Sequence, residues 1–203
     1  QTHRDTSPWL FSSGRPGMNK LSWWLLQRRL KFIQLLVLDV DGVLTDGGLS
    51  LDAAGNLSKR FDARDGLGIH LLQQEGLHIA FLSGGQGGAT EVRAQQLGVI
   101  HCFVGIKDKP ATLSALQKQL GVNSAQTAFV GDDLNDLAVR PVVGLLFSPA
   151  DACKPMRESA DAVMRCRGGH GAVRELAERI LQARGRWTQL RRDGWKDRND
   201  ARL

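Results

Sequence analysis

The sequence predicts an α/β fold, a doubly wound parallel sheet with helices on both faces. Two observations predict it. Five short apolar runs, 33–40 (IQLLVLDV), 78–83 (HIAFLS), 101–105 (HCFVG), 127–131 (TAFVG) and 144–148 (GLLFS), are nearly continuous rather than alternating, as strands buried on both faces are. Helical periods lie between them at 67–74, 88–97, 110–120 and 134–139. Strand and helix alternating in this way build a parallel sheet.

Taken in order, residues 1–17 carry Pro8, Gly14, Pro16, Gly17 and several Ser/Thr, and read as unstructured, with Met18 the expected start. Residues 18–31 (MNKLSWWLLQRRLK) fit an amphipathic helix offering Trp23, Trp24, Leu26 and Leu30 for burial. After the first strand, 49–61 (LSLDAAGNLSKRF) departs from the alternation. Its short runs flank the turn residues Ala54-Gly55-Asn56, which predicts a projecting β-hairpin. Pro110 suits a first helical turn, and Gly98 and Gly121 suit helix ends. Residues 171–183 (GAVRELAERILQA) close the domain as an amphipathic helix, and beyond Gly185 the periodicity disappears into a basic tail expected to be solvated. The expected organisation is an N-terminal extension over 1–31, one domain over 32–184 and a tail over 185–203.

At 203 residues the chain has room for one such domain of about 150 residues plus extensions. Its 42% hydrophobic and 24% charged residues are those of a globular protein with a packed core. The net charge of +6 suggests a nucleic-acid partner until it is partitioned. Residues 1–31 hold six basic side chains against one acidic, and 183–203 hold seven against three, leaving the middle at −3. The excess is therefore not laid on a folded face, and no nucleic-acid partner is expected. The apolar stretch 21–26 falls far short of the roughly 18 residues that span a bilayer, so no membrane insertion is expected. Cys102, Cys153 and Cys166 form no paired spacing and read as reduced thiols of a cytoplasmic protein.

In open α/β sheets ligands bind outside the carboxyl ends of the strands. After the first strand comes DVDGVLTDG, 39–47. Asp39 and Asp41, at i and i+2, leave one side of the pleat, and two like charges there call for a cation or a proton. After the second strand, Ser83-Gly84-Gly85 offers a hydroxyl and open backbone amides to phosphate oxygens. Lys109 opens a later helix as a point charge suited to phosphate or carboxylate, although a lone loop lysine ordinarily faces solvent. After the fourth strand, GDDLND (131–136) crowds three carboxylates, an oxygen-only set that points to magnesium.

These signals, in this order, resemble the haloacid dehalogenase superfamily of phosphohydrolases over residues 33–182. The resemblance implies Asp39 as the nucleophile that forms an aspartyl-phosphate and Asp41 as the general acid/base. It implies Ser83, Gly84, Thr45 and Lys109 around the phosphoryl group. Mg2+ would lie on Asp39, the backbone carbonyl of Asp41 and Asp132, with Asp133 and Asp136 supporting it. Large members insert a cap domain at one of two places; here 46–64 leaves room only for a hairpin and 83–109 only for a helix and a strand, so the chain reads as capless.

Within the capless group, 39–69 (DVDGVLTDGGLSLDAAGNLSKRFDARDGLGI) and 167–175 (RGGHGAVRE) resemble the phosphatases of 3-deoxy-D-manno-octulosonate 8-phosphate. That likeness implies a small sugar-acid phosphate substrate and a homotetramer whose hairpins form a collar. Arg64, Asp65 and Gly66 would line the site, with Arg64 and His170 near the substrate's acid. Gly168, Gly169 and Gly171 would belong to a mobile segment capping a neighbour's site. Arg93 matches the family, whereas Gly85 and His170 stand where it usually has Arg. Phosphatases of nine-carbon, sialic-acid-type phosphates share the scaffold and are the alternative. An idle scaffold domain would have lost one of Asp39, Asp41, Lys109 or Asp132, and all four are present.

Overall fold

The computed structural model describes residues 20–195. The stretch 1–17 and Met18 lie outside them, as does the side chain of Trp23. Helix α1 (Lys20–Lys31) is followed by β1 (Leu35–Leu38) and by the hairpin strands β2 (Ser50–Leu51) and β3 (Leu57–Ser58). Then come α2 (Ala63–Gln74), β4 (His78–Leu82), α3 (Ala89–Gln96), β5 (His101–Phe103), α4 (Lys109–Leu120) and β6 (Thr127–Val130). After β7 (Leu145–Ser148) the chain forms α5 (Lys154–Ser159), β8 (Ala162–Val163), α6 (Ala172–Ala183) and α7 (Trp187–Asp193).

Six parallel strands run in the order β5-β4-β1-β6-β7-β8, so the sheet is doubly wound with β1 at its centre. No cap domain interrupts it. Side-chain alternation sends Leu36, Leu38, Phe81 and Val130 into the core under α1, α2 and α6. Leu35, Val37, Leu82 and Phe129 point the other way, against Leu113 and Leu116 of α4. Every residue of β1, β6 and β7 is buried, which is why their sequences lack alternation. In the hairpin, the Asp52 carboxylate closes the turn, accepting from Ala54 N (2.9 Å) and Asn56 N (2.8 Å).

Four expectations are corrected. Residues 134–139 are not an α-helix: a 3-10 run spans Leu134–Val142, because Pro141 breaks the ladder and Asp133 and Asp136 cap the turn with their side chains. Trp24 is about half exposed beneath Arg28, whereas Leu26 and Leu30 are buried. The tail begins with α7, because Trp187, Leu190 and Trp195 pack partly buried on the core and Trp195 Nε1 donates to Gln74 Oε1 at 2.9 Å. Finally, Gly168 and Gly169 are buried against the chain's own 42–46 loop, with Gly169 N donating to Val43 O at 3.0 Å. A Cβ on Gly168 would overlap the Gly42 carbonyl, so only glycine lets the two backbones approach this closely.

Candidate active site

The chain leaves β1 for one side of the sheet and returns through β6 to build the other, so a crevice opens where their carboxyl ends meet. Asp39 follows β1, and its backbone N donates to Val130 O at 2.9 Å. The chain then turns sharply, Val43, Leu44 and Thr45 all donating to Val40 O. Gly42 makes the turn at φ +89°, and a Cβ there would collide with the Asp132 carboxylate. The tight loop thereby brings residues 39–42 against the segment after β6.

Lys109, the first residue of α4, reaches back into this crevice and is only 3% exposed. Asp108 caps the helix by accepting from Ala111 N at 3.0 Å. Lys109 Nζ donates to Asp39 Oδ1 and Asp136 Oδ1, both at 2.6 Å. Asp136 is fully buried, and its Oδ2 accepts from Asp132 N at 2.9 Å. Asp39, Asp132 and Asp136 each place an oxygen within 4.8 Å of the others. Two unit charges that close repel by about 3.5 kcal/mol at an effective dielectric of about 20. One lysine offsets only part of this. An oxygen-only cluster with an uncompensated charge suits a hard divalent cation such as magnesium.

The titration behaviour agrees. Burial, and then the neighbouring Asp136 charge, push Asp39 up to about 8. Burial and the charges of Asp136 and Asp133 push Asp132 up to about 7. Burial would lower Lys109, but the charges of Asp39 and Asp136 outweigh it and hold the ammonium above its usual range. In the unfolded chain both carboxyls lose their protons near pH 4. At these two carboxyls the metal-free native state therefore binds more protons than the unfolded state between about pH 4 and 8, so their contribution to stability falls as pH rises through that window. Thermal melts in chelator are expected to show a Tm decreasing from pH 5 to 8. Saturating Mg2+ should remove most of that slope, and a metal-free Tm that climbs with pH would contradict the picture.

Other residues singled out in the sequence divide between those the structure gathers at the crevice and those it employs otherwise. Asp41, two residues beyond Asp39, carries an ion pair to Lys59, whose Nζ lies 2.8 Å from Oδ1 and 2.9 Å from Oδ2. Ser83, buried at the end of β4, accepts from Gly85 N at 3.0 Å, and Gly84 follows it without a side chain. Gly85 adjoins Asp41: a Cβ there would lie 2.8 Å from Asp41 Oδ2. Thr45 is turned inward, its hydroxyl accepting from Gly42 N (3.3 Å) and Gly47 N (3.2 Å), and so serves the loop rather than the crevice. Asp133 caps the 3-10 run through Leu134 N at 2.7 Å.

Arg64 is engaged by Asp62 (2.7 Å) and also donates to the carbonyl of exposed His170 at 3.1 Å. It borders a cleft of about 500 Å3 shared with Gly171, Arg174 and Glu175. Asp65 is buried and accepts from Arg174 N (2.8 Å) and Gly171 N (3.3 Å), fastening the start of α6. Gly66 packs against Arg93, which donates to Asp62 O at 3.4 Å and lies over Phe61. Lys59 was not legible in the sequence. A lysine just beyond a hairpin strand has no local signal for burial.

A model of the haloacid dehalogenase-like hydrolase family matches residues 59–139. The chain is 41% identical to 3-deoxy-D-manno-octulosonate 8-phosphate phosphatase of Haemophilus influenzae over 161 residues, covering 79% of this chain and 89% of that one. It is 39% identical to the enzyme of the same name from Escherichia coli K12 over 154 residues, 76% of this chain and 82% of the other. A crystal structure of that phosphatase from Moraxella catarrhalis, in complex with a magnesium ion, a phosphate ion and a KDO molecule, superposes with a TM-score of 0.80. The identity there is 34%, with 83% of this chain and 97% of that chain covered.

Proposed function

The chain belongs to the 3-deoxy-D-manno-octulosonate 8-phosphate phosphatases, a family of haloacid dehalogenase-like hydrolases, and we propose that it hydrolyses that phosphomonoester by a two-step transfer through Asp39. One observation carries the residue assignment: Asp39 sits at the crevice with Oδ1 engaged by Lys109, inside a cluster of carboxylates. Lys109 leaves Oδ2 of Asp39 to attack phosphorus. As the new P–O bond forms, the ester P–O bond breaks, and the departing sugar alkoxide takes a proton from Asp41, which enters this step as the carboxylic acid. Water then attacks the aspartyl-phosphate, Asp41 accepts its proton, and inorganic phosphate leaves with Asp39 restored. In this reading Ser83 and the Gly84 amide hold phosphoryl oxygens, and Arg64 and His170 meet the sugar's acid group. Asp39, the Asp41 carbonyl and Asp132 would hold Mg2+, with Asp133 and Asp136 in support, and the ion would supply positive charge to the transferring phosphoryl group.

Among the described residues the crevice has no cap, and completion by neighbouring subunits in a homotetramer is part of this reading. The exposed Leu49 and Leu51 on the hairpin support it. The cytoplasm is the proposed compartment, supported by the free Cys102, Cys153 and Cys166. Among the described residues no helix is long and apolar enough to cross a membrane.

The deciding experiment measures kcat/KM for the eight-carbon acid phosphate, a nine-carbon sialic-acid-type phosphate and simple hexose phosphates, with light scattering on the same sample. The eight-carbon ester is expected to lead by at least about tenfold, the size of one good polar contact. Equal rates on hexose phosphates would refute the substrate assignment, a leading nine-carbon ester would shift it, and a fully active monomer would refute the shared site.

A further inference from the structure

Lys59 is unusual for a hairpin residue. It lies one position beyond β3, a strand whose neighbours are largely exposed, yet its side chain is only 1% exposed. Lysine is almost never buried unless paired, and here the ammonium has two partners. It straddles both oxygens of Asp41, and it donates to the hydroxyl of Thr90, which is fully buried in the first turn of α3. Three segments distant in sequence meet at this one atom: the loop after β1, the exit of the hairpin and the start of α3.

A buried ion pair costs desolvation that an apolar contact would avoid. What it supplies is orientation. The χ2 torsion of an aspartate is broad, so a carboxylate with about a third of its side chain exposed would otherwise sweep through many directions. Proton transfer needs the donor within hydrogen-bond reach of the leaving oxygen, and a misplacement of about 1 Å can cost about 100-fold. Gly85 completes the arrangement. Its missing side chain leaves open the space beside Asp41 Oδ2, where a Cβ would sit 3.7 Å from Lys59 Nζ.

We propose that Lys59 is a positioning residue for the proton-transfer carboxylate of Asp41, holding it from the hairpin exit in the orientation that serves the leaving oxygen. This rests on the reading of Asp41 as the acid, so the test carries a control for that reading. A p-nitrophenolate departs with little help, whereas phenolate and a sugar alkoxide need progressively more protonation. kcat/KM reports the step in which the leaving group departs. It is measured for Lys59→Met, Lys59→Arg, Thr90→Val and Asp41→Asn on p-nitrophenyl phosphate, phenyl phosphate and the sugar-acid 8-phosphate.

Lys59→Met is expected to lose at least about 30-fold on the 8-phosphate, with phenyl phosphate in between, and no more than about threefold on p-nitrophenyl phosphate, general acids contributing about 100-fold or more. Asp41→Asn should show the same gradient more steeply, and Lys59→Arg should restore much of the loss. Thr90→Val, which leaves both charges in place, should show the gradient in weaker form and serves if Lys59→Met does not fold. Melting temperature and calorimetric Mg2+ affinity should stay near wild type in Thr90→Val and Lys59→Arg. A gradient in Asp41→Asn with an equal loss, or none, across the esters in the Lys59 and Thr90 variants would overturn the proposal. A flat loss in Asp41→Asn itself would overturn the assignment of Asp41 as the acid.

Discussion

Asp39→Asn is expected to reduce phosphate release to below about 10⁻³ of wild type, since removing a nucleophile ordinarily leaves only residual turnover. The amide keeps the shape of the carboxylate and can still accept from Lys109 Nζ, so the position of Lys109 should persist. What it loses is the electron pair on an anionic oxygen. Stability should move the other way. Asp39 is pushed up to about 8 by burial and by the charge of Asp136, so a neutral side chain removes repulsion from the cluster. The metal-free variant at pH 8 should melt at or above the wild-type temperature, whereas its Mg2+ affinity should fall. Turnover within about tenfold of wild type would refute Asp39 as the attacking group.

Lys109→Met is expected to cost both activity and stability. The ammonium is the counter-charge that lies within 2.6 Å of both Asp39 and Asp136. Removing one partner of a buried ion pair typically costs about 3–5 kcal/mol, because the remaining charge is left uncompensated. For a domain of this size that corresponds to a Tm roughly 6–20 °C lower at pH 8 without metal. The loss should shrink near pH 5, where carboxyls whose pKa values are raised by burial and by one another take up protons instead. Saturating Mg2+ should raise the Tm of the variant more than that of the wild type. kcat/KM should fall by about 10³-fold, since the cation also faces the position where phosphoryl charge develops. A variant with near-normal kcat/KM would show that Lys109 is only a structural counter-ion.

The legible part of this protein is the part written in local periods. Runs such as LLVL and TAFV are buried along their whole length, and that is what their unbroken apolar character expressed. The helix over Lys109–Leu120 was marked by Pro110 near its start and Gly121, at φ +67°, at its end. Asp39 and Asp41 were legible as candidates because strand ends at the switch point of an open sheet face the crevice, and an i, i+2 pair of acids has few other reasons to stand there. Short or compensated elements escaped. β8 has two residues, α7 is held by tertiary contacts of Trp187 and Leu190, and the acid-rich segment after β6 became a 3-10 run because Asp136 turned its carboxylate onto its own backbone.

The sequence by itself determined five of the six strands, the winding of their sheet and the crevice end at which the acids gather. Only the tertiary structure decided which charges meet. Lys109 is 70 residues from Asp39, Lys59 is 18 from Asp41 and 31 from Thr90, and Gly169 binds the carbonyl of Val43 across more than a hundred residues. Hydrophobic periodicity reports which side of an element is buried. It carries no information about the partner that a long, flexible lysine will reach, because that choice depends on where the sheet brings remote strand ends together and on the cost of leaving a buried charge alone.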